Sequence, residues 1–235
     1  MCSRRGANLG PGVIVPTTIG RDDVARLVAE GAQLVEVLPR GEYDEEHLPD
    51  AVHLPLESLS ASTAAAVVDR DRPIIVYCWD ALCDMSPRAA WQLEHLGYRP
   101  VYDYAVGKVD WMAAGLPTVR SAGSGDRAID VADNKPRTCP PDQPLAILGD
   151  LRPHDAVIVV NEQGIVLGRI DTVPKMFEPN AVAEDVMTPG PATVRAHEPL
   201  DDLFSRMRAR GTEQVIVTTP EGRLLGVVRV RSKEE

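Results

Sequence analysis

"VYCWDALCDMSPRAAW", residues 76–91, reads as the end of a strand, a loop and the start of a helix. The apolar run "PIIVYC" (73–78) ends in a cysteine. Ser86 and Pro87 then supply residue types that suit a helix N-cap and a first helical position. Working outward, the same alternation recurs. Apolar runs at "QLVEVL" (33–38), "AVHLPL" (51–56) and "PVYDYA" (100–105) are separated by the helical patterns "DDVARLVAEG", "SASTAAAVVD", "RAAWQLEHLG" and "KVDWMAAG". Such alternation predicts an α/β fold, a doubly wound parallel sheet with helices on both faces. Sites in these sheets lie at the carboxyl ends of the strands, and Cys78 falls there.

Composition narrows the function classes. A chain of 235 residues is one large domain or two small ones. Hydrophobic residues make up 44% but aromatics only 4%, so the core is expected to be Val, Leu, Ile and Ala. The net charge of −10 argues against nucleic-acid partners and anionic membranes, whose phosphates would repel it. No stretch approaches the ~18 apolar residues of a membrane span. The opening "MCSRRGANLGPG" has no apolar run behind its arginines, so it does not read as a signal peptide, and a cytoplasmic location is expected. The cysteines Cys2, Cys78, Cys83 and Cys139 do not make a disulfide framework for a chain this long. Cys-x4-Cys without a second ligand pair, and scattered histidines, predict no metal site.

Residues 118–127, "TVRSAGSGDR", are small and polar and read as a flexible linker. The expected organisation is a tail (1–16), a first domain (17–117), a linker (118–128) and a second domain (129–235). The second domain holds an internal repeat. "AVIVVNEQGIVLGRI" starts at Ala156 and "QVIVTTPEGRLLGVV" at Gln214, with Gly164 matching Gly222 and Gly168 matching Gly226. Each copy reads as strand, turn, strand. Each follows a helical segment opening at Pro144-Leu145 or Pro199-Leu200, the first shorter by about a turn. Units this small cannot bury their own faces, so the copies are expected to pack together through Val157, Ile158, Val159 and Val215, Ile216, Val217.

A cysteine delivered by a buried strand to a helix N-terminus has two readings. Loop amides and the helix start would stabilise a thiolate, lowering its pKa and making it a nucleophile. Alternatively, the residue is a small buried hydrophobe.

Further residues carry a resemblance. "VEVLPRGEYDEEHLPDAVHLPL" (35–56) has the acidic residue, the Arg, "EY" and "H-L-P-x-A" of the opening signature of the rhodanese family of sulfurtransferases. "PIIVYC" resembles the strand ending in that family's catalytic cysteine, and "AAWQLEHLGYRPVYDYAVGKVDWMAAGLP" its helix, strand and closing segment. The resemblance covers roughly residues 17–117. It implies Cys78 as the nucleophile and an anion cradle over Trp79, Asp80, Ala81, Leu82 and Cys83, with Asp84 completing the substrate-contacting set. It also implies structural roles for Glu36 and Arg40, and for His47, which orients local backbone. The loop departs from the family pattern. It lacks glycine, has Cys83 where an arginine is usual, is about two residues longer, and carries Asp80 and Asp84 where an anion would bind. It resembles a subgroup with a C-W-x-x-x-C loop. Cys83 would then resolve a persulfide or sulfenate on Cys78, or simply pack under the loop. Trp79 would wall the pocket, shield the thiol or pack in the core. Trp91 and Trp111 are expected in the core, and Glu42, Asp44, Glu45 and Glu46 in a solvated turn.

In the second domain, "DVMTPGPATVRAHEPLDDLFSRMRARGTEQVIVTTPEGRLLGVV" resembles a cystathionine-β-synthase-type (CBS) domain, and "CPPDQPLAILGDLRPHDAVIVVNEQGIVLGRI" a degenerate partner. Together they imply an α+β tandem CBS pair that regulates or dimerises the protein. They also imply an adenosine nucleotide or S-adenosylmethionine as ligand class. The family's ribose-binding Asp lies six residues after the motif glycine, and a Thr or Ser three after. Here those places hold Asp171 and Pro174, then Arg229 and Ser232, so neither copy makes the ribose contact. Asp171 and Arg229 are expected to pair across the cleft.

The expected function is sulfur transfer from a small donor through Cys78 to a thiol acceptor. No cofactor is required for it. A non-catalytic redox- or ligand-sensing module is the alternative. A phosphatase or arsenate reductase fits less well, because the loop lacks an arginine.

Overall fold

The computed structural model describes residues 16–121, 125–151, 155–176 and 178–230. The chain divides into two compact units, Met1–Asp110 with Pro117–Ala122, and Trp111–Leu116 with Gly123–Glu235. Among the described residues, no helix is long and apolar enough to cross a membrane.

The first unit begins with β1 (Thr17–Thr18), α1 (Arg21–Ala29), β2 (Gln33–Glu36), α2 (Arg40–Glu45), β3 (Glu46–His47) and β4 (Val52–His53). It continues through α3 (Ala61–Val67), β5 (Ile74–Tyr77), α4 (Met85–His95), β6 (Val101–Tyr104), α5 (Gly107–Ala113) and β7 (Val119–Arg120). The five-stranded sheet has the order β1-β6-β5-β2-β4 and every pairing is parallel. This is the α/β sheet that the alternation predicts. Strand β1 has only two threonines and no apolar run, so periodicity does not reveal it. Every residue of β2 and β5 is buried, as parallel strands covered on both faces require.

The two sheet faces have different jobs. Val35, Ile74, Val76, Cys78 and Val101 join Ala89, Ala90 and Leu93 of α4 and Ala64 of α3 in one core. Fully burying each of the larger aliphatic side chains contributes roughly 1.5–3 kcal/mol. The alternate positions Glu36 and Tyr77 point to the opposite face, where Tyr77 bonds Glu36 and Glu36 meets Lys108 of α5. The start of the predicted linker is not loose. Val119 and Arg120 pair antiparallel with β3.

The second unit contains α6 (Ala128–Val131), β8 (Thr138–Cys139), α7 (Leu145–Leu148), β9 (Val157–Val160), β10 (Val166–Ile170), α8 (Ala183–Val186), β11 (Thr188–Pro189), β12 (Thr193–Arg195), α9 (Leu200–Ala209), β13 (Gln214–Thr218) and β14 (Leu224–Arg229). Both repeat copies are strand–turn–strand, turning at Gly164 (φ 76°) and Gly222 (φ 87°). They form two sheets, β11-β10-β9-β8 and β12-β13-β14. The preceding helices differ more than the sequence predicts, four residues in α7 against ten in α9. Gly149, at φ 63°, ends the shorter one.

The copies do not meet through three residues per strand. Ile158 and Ile216 meet with Val227, whereas Val157 and Val159 turn to one core and Val215 and Val217 to another. A strand alternates its side chains, so only the middle residue of each triplet faces the other sheet. The short helices exchange partners. Ala128 of α6 packs in the core of the second copy, and Ala183 of α8 in the core of the first. Each copy is thus completed by the segment that precedes the other.

Candidate functional site

Strand β5 carries Cys78 to the carboxyl edge of the sheet, as the sequence predicts. The loop that follows is fixed at its start by α5. Lys108 N–H donates to the Cys78 carbonyl and Val109 N–H to that of Trp79, both at 3.0 Å. This close approach explains Gly107, which sits at φ 61°. A Cβ there would lie 2.6 Å from the Cys78 carbonyl oxygen and 2.8 Å from that of Trp79.

The loop spends amides on itself. Leu82 N–H donates to the Asp80 carboxylate at 2.9 Å, and Cys83 N–H to the Asp80 carbonyl at 3.1 Å. Asp80 is therefore a turn former, the usual use of its short carboxylate, and these two amides do not face an anion. Leu82 is 94% exposed and Trp79 41%. Ala81 is exposed, and Cys83 is half-buried. The helix starts two residues earlier than predicted. Asp84 occupies the N-cap position, without a capping hydrogen bond, and pairs with Arg88 at 3.5 Å on the surface. Ser86 lies inside the helix and is fully buried.

Ser86 does not cap because its hydroxyl is turned inward. Cys78 Sγ donates to Ser86 Oγ at 3.3 Å and contacts the Cys83 carbonyl at 3.4 Å. The thiol is fully buried, with the Ser86 N–H and hydroxyl and the Cys83 carbonyl around it. Its pKa is pushed up to about 11, first by burial and next by the hydrogen bond with the Cys83 thiol, against the opposing effect of Ser86. The expected low-pKa thiolate is thus corrected. In this arrangement Cys78 is a protected thiol.

That shift has a consequence for stability. A group whose pKa is raised on folding stabilises the protein fully below its unfolded pKa, ~8.5 for a thiol. The contribution fades as pH rises through about 11. It amounts to roughly 3 kcal/mol. Urea denaturation across this range is expected to show the native chain losing that much more stability than Cys78→Ala. Parallel curves would show that the thiol is not held protonated.

On the opposite face Glu36 and Lys108 are both fully buried and paired at 3.0 Å. Tyr77 Oη donates to Glu36 at 2.7 Å. Burial raises the Glu36 pKa, against the pull of Tyr77 and Lys108. Lys108 Nζ also donates to the carbonyls of Glu42 (3.1 Å) and Glu46 (2.6 Å), and lies 5.1 Å from the Trp79 ring centroid. One lysine therefore ties the signature segment to the helix that anchors the Cys78 loop. Arg40 is exposed and pairs with Asp44 at 2.9 Å. His47 stacks on Tyr43 with centroids 3.9 Å apart and bonds the Tyr43 carbonyl at 2.8 Å; His53 bonds that of Leu38 at 2.9 Å. Glu46 is not in a solvated turn. It is buried and accepts from Thr118. Trp111 is buried as predicted, but Trp91 is 50% exposed and tilts on His95. The buried stripe of α4 runs through Ser86, Ala89, Ala90 and Leu93, and Trp91 falls off it.

With this geometry in place, comparison with known proteins is informative. Residues 21–114 match the Rhodanese-like domain family and residues 182–232 the CBS domain family. The thiosulfate sulfurtransferase GlpE of Pseudomonas savastanoi pv. phaseolicola is 34% identical over 84 residues, covering 36% of this chain and 76% of that enzyme. The chain belongs to the rhodanese family. The HTH-type transcriptional regulator Rv0324 of Mycobacterium tuberculosis is 38% identical over 95 residues, 40% of this chain and 41% of the regulator. The chain thus spans less than half of that protein's length. Solved neighbours include the CBS domain pair of protein MJ0100 in complex with 5′-methylthioadenosine and S-adenosyl-L-methionine. It is 18% identical, with a TM-score of 0.37, over 45% of this chain and 90% of that one.

In the CBS region the expected Asp171–Arg229 pair is absent. Arg169 Nε donates to Asp171 at 2.6 Å, and Arg229 pairs with Asp133 at 2.9 Å. Each charge is met within its own sheet edge. Ser232 and Cys2 lie outside the described residues.

Three residues of the rhodanese domain escaped the sequence reading. Lys108 carried a signal, a lysine opening a mostly apolar helical pattern. Gly107 carried a weaker one. The third is Asp103, a carboxylate on the core-facing side of β6, two residues after Val101. It is 4% exposed.

Proposed function

We propose that the rhodanese domain carries sulfane sulfur on Cys78 and that Cys83 resolves it. The observation that supports this is the closeness of the two cysteines: the Cys78 thiol meets the Cys83 carbonyl at 3.4 Å, and the Cys83 side chain packs against the core cluster that holds Cys78. Thiolate attack on the outer sulfur of thiosulfate would form a Cys78 S–S bond and release sulfite. A small thiol would then take the outer sulfur and regenerate the Cys78 thiol. Alternatively, Cys83 would attack Cys78 Sγ, giving a Cys78–Cys83 disulfide and hydrogen sulfide. Entry of the donor requires the 79–84 loop to lift from the buried thiol, and the exposure of Leu82 and Trp79 favours that opening. The CBS region would regulate or dimerise the chain.

One observation favours a second reading. Cys83 lies beside Cys78 in the same loop, its carbonyl 3.4 Å from the Cys78 thiol, which suits a pair that closes to a disulfide. A peroxide would oxidise the pair to a disulfide and be reduced to water.

One experiment separates the readings. After incubation with thiosulfate, Cys83→Ser should hold an additional sulfur atom on Cys78, located by peptide mass spectrometry, because the resolving thiol is gone. The native chain should accumulate the Cys78–Cys83 disulfide instead. If thiosulfate leaves Cys78 unmodified while peroxide forms the disulfide, the sensor reading replaces sulfur transfer.

A further inference from the structure

Asp103 is an unusual occupant of an apolar core. It lies in β6 between Thr18 of β1 and Val76 of β5, on the face that carries Cys78. Its carboxylate hydrogen-bonds the Ser86 side chain, and Oδ1 has no hydrogen-bond partner among the described residues. Burial raises its pKa, with Ser86 opposing. Ser86 in turn accepts from Cys78 Sγ at 3.3 Å. The three side chains form a buried line of thiol, hydroxyl and carboxylate.

A hydroxyl has one proton to donate. Ser86 can give it to Asp103 or to a Cys78 thiolate, but not to both. An ionised carboxylate takes the stronger, charge-assisted bond. The Ser86 hydroxyl then presents only lone pairs to the sulfur, which satisfies a thiol and disfavours a thiolate, and the Ser86 N–H is left as the donor there. We propose that Asp103, acting through Ser86, is a positioning residue that holds Cys78 in the thiol form. The Ser86 N–H opposes it only in part, since the Cys78 pKa stays raised. Thr18 and Val76 are neutral, and α4 presents Ser86. Arg88 of α4 is 63% exposed at its side chain and pairs with Asp84. On the thiol side, the titratable group in contact is Cys83. Neutralising Asp103 reverses the line, because Ser86 is then free to donate to the sulfur. The inference deepens the sulfur-carrying reading and rests on it only for its purpose, since the ionisation of Cys78 is measured without any sulfur donor.

The test is the rate of Cys78 alkylation by iodoacetamide at pH ~8, read by peptide mapping of the full chain. Asp103→Asn imitates a neutral carboxyl, its amide donating to Ser86. Asp103→Val removes the competing acceptor with a residue suited to a buried strand, and serves if the first variant folds poorly. Each is expected to react at least about tenfold faster than the native chain, which is a fall of one pKa unit. Adding Ser86→Ala should cancel the gain, because the hydroxyl that stabilises the thiolate is lost. Native rates in both variants would overturn the proposal. So would a gain that survives Ser86→Ala, which would mark direct charge repulsion or an opened core instead of the relay.

Discussion

Replacing Cys78 by serine is expected to reduce sulfide release from thiosulfate, in the presence of a thiol acceptor, to background. Loss of an enzyme nucleophile alone can cost up to ~10⁶-fold in turnover, so a drop of at least ~10³-fold is the expected result. A serine hydroxyl cannot hold the transferred sulfur. It can still donate its one proton to the Cys83 carbonyl or to Ser86, the two acceptors that meet the thiol at 3.4 and 3.3 Å. The variant should therefore fold, and its thermal midpoint near neutral pH should stay close to the native value. Persistent sulfide release would place the sulfur acceptor at another cysteine, and the assignment of Cys78 would be wrong. Cys83 lies in the same loop, and Cys139 is buried in the second unit.

The largest effect on stability is expected from Lys108→Met. The ammonium meets Glu36 at 3.0 Å and the carbonyls of Glu42 and Glu46 at 3.1 and 2.6 Å, and none of its side chain reaches solvent. Removing it leaves a buried carboxylate held by Tyr77, and two carbonyls without this donor. Breaking a buried pair in this way typically costs about 3–5 kcal/mol. Denaturant titration of the rhodanese transition measures it. The double variant Glu36→Gln with Lys108→Met should recover part of the loss, because the stranded charge is gone. A loss under ~1 kcal/mol would equal that of a surface pair and would mean that water reaches the site. Because Lys108 opens the helix whose first amides hold Cys78 and Trp79, the same variant should also loosen the loop. Faster alkylation of Cys78 would report that loosening.

Several features were legible in the sequence because they depend on neighbours along the chain. Alternating apolar runs and helical stripes specified the parallel sheet, and "PIIVYC" put Cys78 at its carboxyl edge. The matched glycines specified two strand–turn–strand copies. Period two would also have shown that Ile158 and Ile216, not their flanking valines, face across the repeat. The chemical state of the site was not legible, because it depends on groups that meet only after folding. Ser86 has the type and position of a cap, yet its hydroxyl turns inward once β5 and β6 place Cys78 and Asp103 beneath it. Asp80 carries the charge of a ligand contact, yet its carboxylate closes the loop's own turn. Glu46 sits in an acidic run, yet Thr118, far along the chain, takes it out of solvent. Sequence therefore determined where the sulfur lies. Only tertiary structure decided whether that sulfur is a thiol or a thiolate, because proton affinity depends on burial and on which neighbouring groups donate or accept.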